Sequence, residues 1–196
     1  MIANIGKFAE HFAVAIKAVD SERPVWKNAR TGVSFQPGIG PHSEAATCKL
    51  VTEQMKRTNP DWYASLDVNV PYAKGNRTRC DIADELWAIE VKMLRLFGDN
   101  GKPNDNLLMH ILSPYPQHRS ALTDCEKLTL GRPRDRLGIL IYAFESADWP
   151  MIAAISAFET LARAKYELTP MARADFSGLV HPVHASGAVF AWEIVH

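Results

Sequence analysis

The residues best suited to chemistry are Asp81, Glu90 and Lys92, which stand close together in the chain. Two short apolar runs, 78–83 and 86–93, flank an acidic pair and predict a hairpin of two antiparallel strands. Because side chains alternate between the faces of a strand, Glu90 and Lys92 share one face, and Asp81 lies near them if the charged faces of both strands coincide. Two converging carboxylates repel each other, and a divalent cation such as Mg²⁺ relieves that repulsion. We therefore expect a metal site of two carboxylates with a lysine beside it.

Two roles are open for the Lys92 ammonium group in such a site. It can hold or activate a water molecule next to the metal, or it can stabilise the negative charge that develops on a phosphate. Neighbouring carboxylates raise a lysine's pKa and burial lowers it, so the sequence does not separate the general-base role from the electrostatic one. The competing interpretation is a surface hairpin on which Glu90 and Lys92 are solvated cross-strand charges.

With these residues the stretch resembles the PD-(D/E)XK nuclease superfamily. Asp81 corresponds to the Asp of its motif and Glu90-Val91-Lys92 to its E-x-K, whereas Cys80 stands in place of the leading Pro. The resemblance implies that Mg²⁺ or Mn²⁺ is held by Asp81, Glu90 and the carbonyl of Val91. It also implies phosphodiester hydrolysis by a metal-activated water, so that nucleic acid, in the first place DNA, is the expected partner.

A further acidic candidate, Glu44, opens a predicted helix that runs from about residue 43 to residue 57. Ser43 is a suitable N-cap, and apolar residues follow it at helical spacing. In proteins of the nuclease fold, an acid on the helix before the central strands often completes the metal shell, so the resemblance implies Glu44 as a ligand. The alternative is an acidic residue that only stabilises the first turn of its helix. Glu53 is a weaker candidate for the same role.

Candidate contacts to a phosphate backbone lie in three places around the expected site. A basic cluster at 72–79 leads into the first strand of the hairpin, a polar loop follows the second strand, and a helix predicted at 117–130 has polar residues at its start. The selected side chains are Arg79, Lys102, Gln117 and Arg119. Lys74 and Arg77 belong to the same basic cluster, but a solvated turn also explains them, as an ordinary helix start also explains the polar residues at 117–119.

The composition indicates one domain without a general affinity for polyanions. The chain has 196 residues, 47% of them hydrophobic, and 22 basic against 22 acidic side chains. A single domain spanning 1–196 is expected, and any phosphate-binding surface must be local because there is no net positive charge. Three widely spaced cysteines indicate buried free thiols in a reducing cytoplasm. Since no apolar run suits a membrane span or a signal peptide, we expect a cytoplasmic protein without a membrane partner.

The predicted elements place the site in an α/β (α+β) fold. Helix, strand, two-stranded hairpin, helix and strand follow one another between about 41 and 144. This α-β-β-β-α-β order resembles the restriction endonuclease-like core of the superfamily, in which a mixed central sheet lies between helices in three layers. An N-terminal helix, and a C-terminal helix with strands at 175–183 and 187–195, are additions to that core. His181 and His184, in the last hairpin, are interpreted as structural or exposed residues in preference to metal ligands.

We therefore expect a magnesium- or manganese-dependent nuclease, in the first place a DNA endonuclease. The alternative, from another class, is a nucleic-acid-binding or scaffold subunit that keeps the nuclease fold without catalysis. An intact set of Asp, Glu and Lys argues against the alternative, because binding alone gives no reason to desolvate three charges together. The neutral net charge argues for it. A homodimer would permit cuts in both strands, but the sequence does not fix the oligomeric state.

Overall fold

The computed structural model describes residues 1–28, 30–72, 78–104 and 106–195. Lys74 and Arg77, two members of the predicted basic cluster, lie outside the described residues. The described residues form a seven-stranded mixed sheet and six α-helices. The mixed α/β class that the sequence predicts is therefore confirmed.

The sheet is mixed: its strand pairs are antiparallel except for one parallel pair. Its strands are β1 (Asp67–Pro71), β2 (Arg79–Ala83), β3 (Trp87–Arg95), β4 (Arg136–Phe144), β5 (Glu167–Leu168), β6 (Ala172–Ser177) and β7 (Ser186–Val195). They are arranged in the order β1-β2-β3-β4-β7-β5, and β6 also pairs with β7. β3 and β4 run parallel, whereas the other neighbouring strands run antiparallel. A parallel pair needs a long crossover connection, and the chain between β3 and β4 supplies it.

Helices cover both faces of this sheet. They are α1 (Ile5–Ser21), α2 (Glu44–Thr58), α3 (Pro60–Tyr63), α4 (Met109–Leu112), α5 (Ala121–Gly131) and α6 (Ile152–Arg163). The side chains of Asn4, Ser43 and Ser120 cap the N-termini of α1, α2 and α5 by accepting a backbone N–H. One apolar cluster lies between the sheet and α1 and α2, and a second lies between the sheet and α4, α5 and α6. The result is a helix–sheet–helix arrangement in three layers.

Two predicted elements have different bounds in the structure. The helix predicted from residue 117 begins only at Ala121, because Pro116–His118 forms a 3-10 turn and Arg119 has a left-handed backbone with φ 48°. The segment that carries Gln117 is therefore not part of α5. The strand predicted at 175–183 corresponds to β6 and ends at Ser177. Periodicity alone missed both boundaries, because each is set by local turn geometry.

The burial of β3 decides the environment of Glu90 and Lys92. Trp87, Ile89 and Val91 pack into the cluster beneath α1 and α2, while Glu90 and Lys92 face the layer that contains α5. Only 1% of Glu90 and 8% of Lys92 is exposed. The interpretation of these two residues as solvated surface charges is therefore wrong.

The three cysteines, Cys48, Cys80 and Cys125, are buried and free, as predicted. Burial raises the pKa of each thiol, to about 12 for Cys80, so that all three stay protonated near neutral pH. In the described part of the chain, no helix combines the length and the apolar character that a membrane crossing requires.

Candidate active site

A cavity of about 740 Å³ opens between the N-terminus of α2, the hairpin β2–β3 and α5. Its interior is lined by six ionisable side chains, which we call the charged cluster: Glu44, Asp81, Glu90, Lys92, Asp124 and Lys127. Four of these are residues that the sequence analysis selected. The structure therefore brings the expected catalytic and metal-binding side chains to one place, although Glu44 is 37 residues from Asp81 in the chain.

The hairpin diverges at this cavity, and two carboxylates fill the gap. β2 pairs with β3 only close to the turn, so among the described residues no strand pairs with the N–H groups of Val91 and Met93 on that side. Oδ2 of Asp81 accepts the N–H of Val91 at 2.8 Å, and Oε2 of Glu44 accepts the N–H of Met93 at 2.7 Å. These hydrogen bonds to the edge of β3 fix both carboxylates in the cavity.

Lys92 lies among several acceptors at the centre of the cluster. Its Nζ is 2.8 Å from Oδ2 of Asp124 and 3.4 Å from Oε1 of Glu44, and it donates to the carbonyl of Val91 at 3.2 Å. Burial lowers the pKa of Lys92, but Asp124, Glu44 and Asp81 outweigh it, and the pKa lies above its usual value. A lysine in this state keeps its proton at neutral pH, so the arrangement supports the electrostatic role and not the general-base role.

Glu90 is enclosed by two donors from other elements. The hydroxyl of Tyr72 donates to Oε1 at 2.7 Å, and Nζ of Lys127 lies 2.9 Å from Oε2. Burial raises the pKa of Glu90 well above its ordinary value, and the charges of Asp124 and Asp81 raise it further, while Lys127 opposes them. The site therefore disfavours the ionised form of this carboxyl.

Asp124 and Lys127, both on α5, are site residues that the sequence analysis missed. Asp124 is 3% exposed and joins the two lysines, with Oδ1 3.1 Å from Nζ of Lys127 and Oδ2 in contact with Lys92. The sequence did contain a signal. Asp124 lies within the apolar stripe that contains Ala121, Cys125 and Leu128, where a buried acid requires a partner. Lys127, three residues later, is that partner on the same helix.

The charged cluster holds more acids than bases. Its four carboxyl groups and two ammonium groups leave two negative charges in excess if all six are ionised. Burial raises the pKa of Glu44 to about 7, and Asp81 adds to this effect while Lys92 opposes it. An uncompensated charge in a buried place is unfavourable, so the cavity favours protons or cations that balance the excess.

The donor atoms suit a hard cation, but they already have other partners. Carboxylate and carbonyl oxygens are the ligands that Mg²⁺ prefers, and the two negative charges in excess when all six groups are ionised match its charge. Within the described ranges, however, no three side chains of His, Cys, Asp or Glu are arranged to hold a metal ion. Oxygens of Glu44 and Glu90, and the carbonyl of Val91, instead contact lysine ammonium groups. The expected ligand set of Asp81, Glu90, Val91 and Glu44 thus fits by chemistry and is not assembled around one point.

The rim of the cavity carries the two arginines that the sequence analysis selected. Arg79 and Arg119 are exposed and line the opening from β2 and from the turn before α5. Nε of Arg79 donates to the carbonyl of Asn69 at 2.7 Å, which steadies its guanidinium. Asn69 and Arg119 both have positive φ, 55° and 48°. Such backbone strain, about 1–3 kcal/mol per residue, is often found at functional sites.

Two other predicted contacts lie elsewhere. Lys102 belongs to a turn in which its N–H donates to Oδ1 of Asn100 and its carbonyl accepts from Gly98, and it does not line the cavity. Gln117 is exposed in the 3-10 turn and does not line the cavity either. Neither residue therefore belongs to the cavity lining, although Pro116 and Arg119, close to Gln117 in the chain, do, and the contact of Lys102 and Gln117 with nucleic acid stays a prediction.

His181 and His184 are structural, as the sequence analysis favoured. Their rings stack with centroids 4.8 Å apart, both are buried, and Nε2 of His184 lies 3.1 Å from Oδ1 of Asp99. Arg95 and Asp20 also carry charge close to this pair. Burial lowers the pKa of His181, and the neighbouring His184 lowers it further. The site therefore favours the neutral form of the His181 ring, which packs with His184 between the loop after β3 and the loop before β7.

This packing predicts a loss of stability in mild acid. The pKa of His181 is below its unfolded value of about 6.5, so the unfolded chain binds more protons and the contribution of His181 is complete above pH 6.5 and declines below it. The free energy of unfolding from urea titrations should fall between pH 7.5 and pH 5.5, and His181→Phe should fall less. Because the carboxyl groups titrate in both proteins, the difference between the two curves isolates His181. Parallel curves would contradict the assignment.

The fold and the cavity together define a three-layer α/β protein with a buried cluster of carboxylates and lysines beneath an arginine rim. No family model, curated protein or solved structure matches this chain.

Proposed function

We propose that this protein is a metal-dependent nuclease with a PD-(D/E)XK-like core. The observation that carries the proposal is the convergence of Asp81, Glu90 and Lys92 in one buried cavity whose rim holds two arginines. The order of elements adds support, since α2, β1, the hairpin β2–β3, α5 and β4 follow in the order expected for such a core. The parallel pairing of β3 with β4 is in keeping with that order.

In this proposal the role of each residue follows from its position at the rim or in the interior of the cavity. Arg79 and Arg119, exposed at the rim, bind and orient a phosphate group. Lys92 and Lys127, both held protonated by acidic neighbours, stabilise negative charge that develops on that phosphate inside the cavity. Asp81, Glu90 and Glu44 supply oxygen ligands. A bound Mg²⁺ or Mn²⁺ would activate water and neutralise charge on the phosphate.

The test is a cleavage assay with purified protein. Supercoiled plasmid, linear duplex, single-stranded DNA and RNA are incubated with magnesium, with manganese or with a chelator. We expect cleavage that needs the metal, and supercoiled plasmid converted to open circles identifies an endonuclease. Asp81→Asn, which keeps the size of the side chain and removes its charge, serves as the inactive reference. Cleavage that persists in chelator, or at the wild-type rate in this variant, would sink the proposal.

A second candidate is a nuclease-fold binding or scaffold subunit without catalysis. It is favoured by the observation that lysines already neutralise Glu44 and Glu90 in the cavity. Calorimetric titration with Mn²⁺ separates the two candidates. Binding that disappears in Asp81→Asn supports the nuclease, whereas no metal binding together with retained DNA binding supports the subunit.

The rim predicts how binding depends on salt. Arg119→Gln keeps a polar side chain and removes one charged phosphate contact, so the slope of log affinity against log salt should fall by about 0.9 for duplex DNA or 0.7 for a single strand. Lys102→Gln removes a charge that is also exposed but does not line the cavity, and it should change neither slope nor affinity. Fluorescence anisotropy in Ca²⁺, which suppresses cleavage, measures both. Equal slopes for Arg119→Gln and the wild type would remove Arg119 from the interface.

A further inference from the structure

The turn that precedes α5 presents an exposed aromatic ring next to the cavity. Tyr115 is 59% exposed, and the next residue, Pro116, lines the opening together with Arg119. A large apolar ring that faces solvent beside a charged cavity is not explained by the core of the protein, to which it contributes little. Tyr115 does not itself line the cavity, but its neighbour Pro116 does, so a ligand that leaves the opening past Pro116 reaches the ring.

The ring stands on a fixed support. It packs edge-on against His118, with centroids 5.9 Å apart and planes at 80°. Nδ1 of His118 is hydrogen-bonded to the hydroxyl of Ser113 at 2.6 Å, and the same hydroxyl accepts the N–H of Tyr115 at 3.3 Å. Ser120, the N-cap of α5, donates to the carbonyl of Ser113 and closes the segment. A ring held in this way loses little conformational freedom on binding.

The charges around the opening disfavour a long duplex. In the part of the chain that the structure describes, the exposed basic side chains that line the cavity are Arg79 and Arg119, and Glu126 is exposed on the same lining. Duplex binding depends on many phosphate contacts, and the chain has no net positive charge to add to them. Stacking of bases on aromatic rings instead supplies affinity for single strands with few phosphate contacts.

From these observations we propose that Tyr115 forms a base-stacking subsite and that the cavity takes a single-stranded polynucleotide. One base stacks on the Tyr115 ring, and the adjoining phosphate lies between Arg79 and Arg119 at the entrance to the charged cluster. The inference rests on the proposed nuclease function for the nature of its ligand. It goes further by naming the strandedness of the substrate and the residue that recognises it.

Binding of three labelled probes tests the subsite: a single-stranded DNA oligonucleotide, the RNA of the same sequence, and a hairpin duplex of equal length. Anisotropy in Ca²⁺ should show at least one single strand bound more tightly than the duplex, and the two single-stranded arms tell DNA from RNA. Tyr115→Ala should weaken single-strand binding about 5- to 150-fold, and Tyr115→Phe, which keeps the ring, should stay within about twofold of the wild type. Trp149→Ala removes a ring of similar exposure whose neighbours in the chain, unlike Pro116 next to Tyr115, do not line the cavity, and it should leave binding unchanged.

The outcomes separate this inference from the function on which it rests. Single-strand binding that depends on Tyr115, without cleavage in any metal, supports the subsite and overturns the hydrolase. Metal-dependent cleavage with wild-type binding by Tyr115→Ala supports the hydrolase and overturns the subsite. Equal or tighter binding of the duplex also overturns it. Because Tyr115 is exposed, its variants should unfold at the wild-type temperature, and a thermal melt verifies this.

Discussion

Lys92→Met should reduce cleavage by about 10²- to 10³-fold, the loss that follows removal of one group stabilising transition-state charge. The same change should lower the free energy of unfolding by about 3–5 kcal/mol, because Asp124, only 3% exposed, loses one partner of a buried ion pair. Initial rates of cleavage, measured well below the melting temperature, give the first effect. Urea titrations at pH 7.5 give the second.

Two further variants separate chemistry from stability at this position. Lys92→Met combined with Asp124→Asn also removes the carboxylate nearest the missing ammonium group and leaves only Glu44, whose Oε1 is 3.4 Å from Nζ of Lys92 in the wild type. Part of the lost stability should therefore return while cleavage stays low. Lys102→Met removes a lysine that lies outside the cavity and should affect neither quantity. If the double variant regained cleavage along with stability, Lys92 would be a structural residue only.

Glu90→Gln should abolish detectable cleavage without destabilising the protein. The amide keeps the size of the carboxyl group and its hydrogen bond from Tyr72, but it is a poor ligand for a hard cation. The pKa of Glu90 is raised in the folded state, so its ionisation opposes folding and this penalty grows as the pH rises above about 4.5. The free energy of unfolding of Glu90→Gln relative to the wild type should therefore increase with pH. The lost contact with Lys127 lowers the stability of the variant and so opposes this gain.

The measurement is a pair of urea titrations for each protein, at pH 5 and pH 8, together with the plasmid assay. Asn69→Asp is the control: it exchanges an amide and a carboxyl group of similar size at an exposed position on the lining of the same cavity. An inactive Glu90→Gln protein that is also strongly destabilised at pH 8 would mean that Glu90 acts as an ionised structural partner of Lys127.

The sequence predicted the centre of the site better than its surroundings. Strand alternation and the E-x-K spacing placed Asp81, Glu90 and Lys92 together because these residues belong to one hairpin, where neighbours in sequence are neighbours in space. The cap at Ser43 likewise located the start of α2 and so the position of Glu44. Local signals of this kind are readable from a single sequence.

Contacts made across the layers were beyond such signals. Asp124 and Lys127 reach the cluster because α5 packs over β3, and this packing depends on the crossover between β3 and β4. Lys102 and Gln117 were assigned to the site from their order in the chain, but each lies in a turn and neither lines the cavity. Turn geometry and depth of burial depend on the tertiary structure and cannot be derived from local sequence. Burial, for example, raises the pKa of Glu44 to about 7.

The divergence of β2 from β3 has a consequence for how inactive variants should be interpreted. Beyond Ile82 and Ile89 the two strands have the register to continue pairing, and continued pairing would bring Asp81 opposite Glu90 and narrow the cavity. The carboxylates that accept the N–H groups of Val91 and Met93 occupy the edge of β3 and keep β2 and β3 separated at this point. Substitution of Asp81 by an apolar residue frees the edge of β3, on which strands tend to pair. If β2 then pairs with β3 along this edge, the variant would be inactive for a reason unrelated to metal binding.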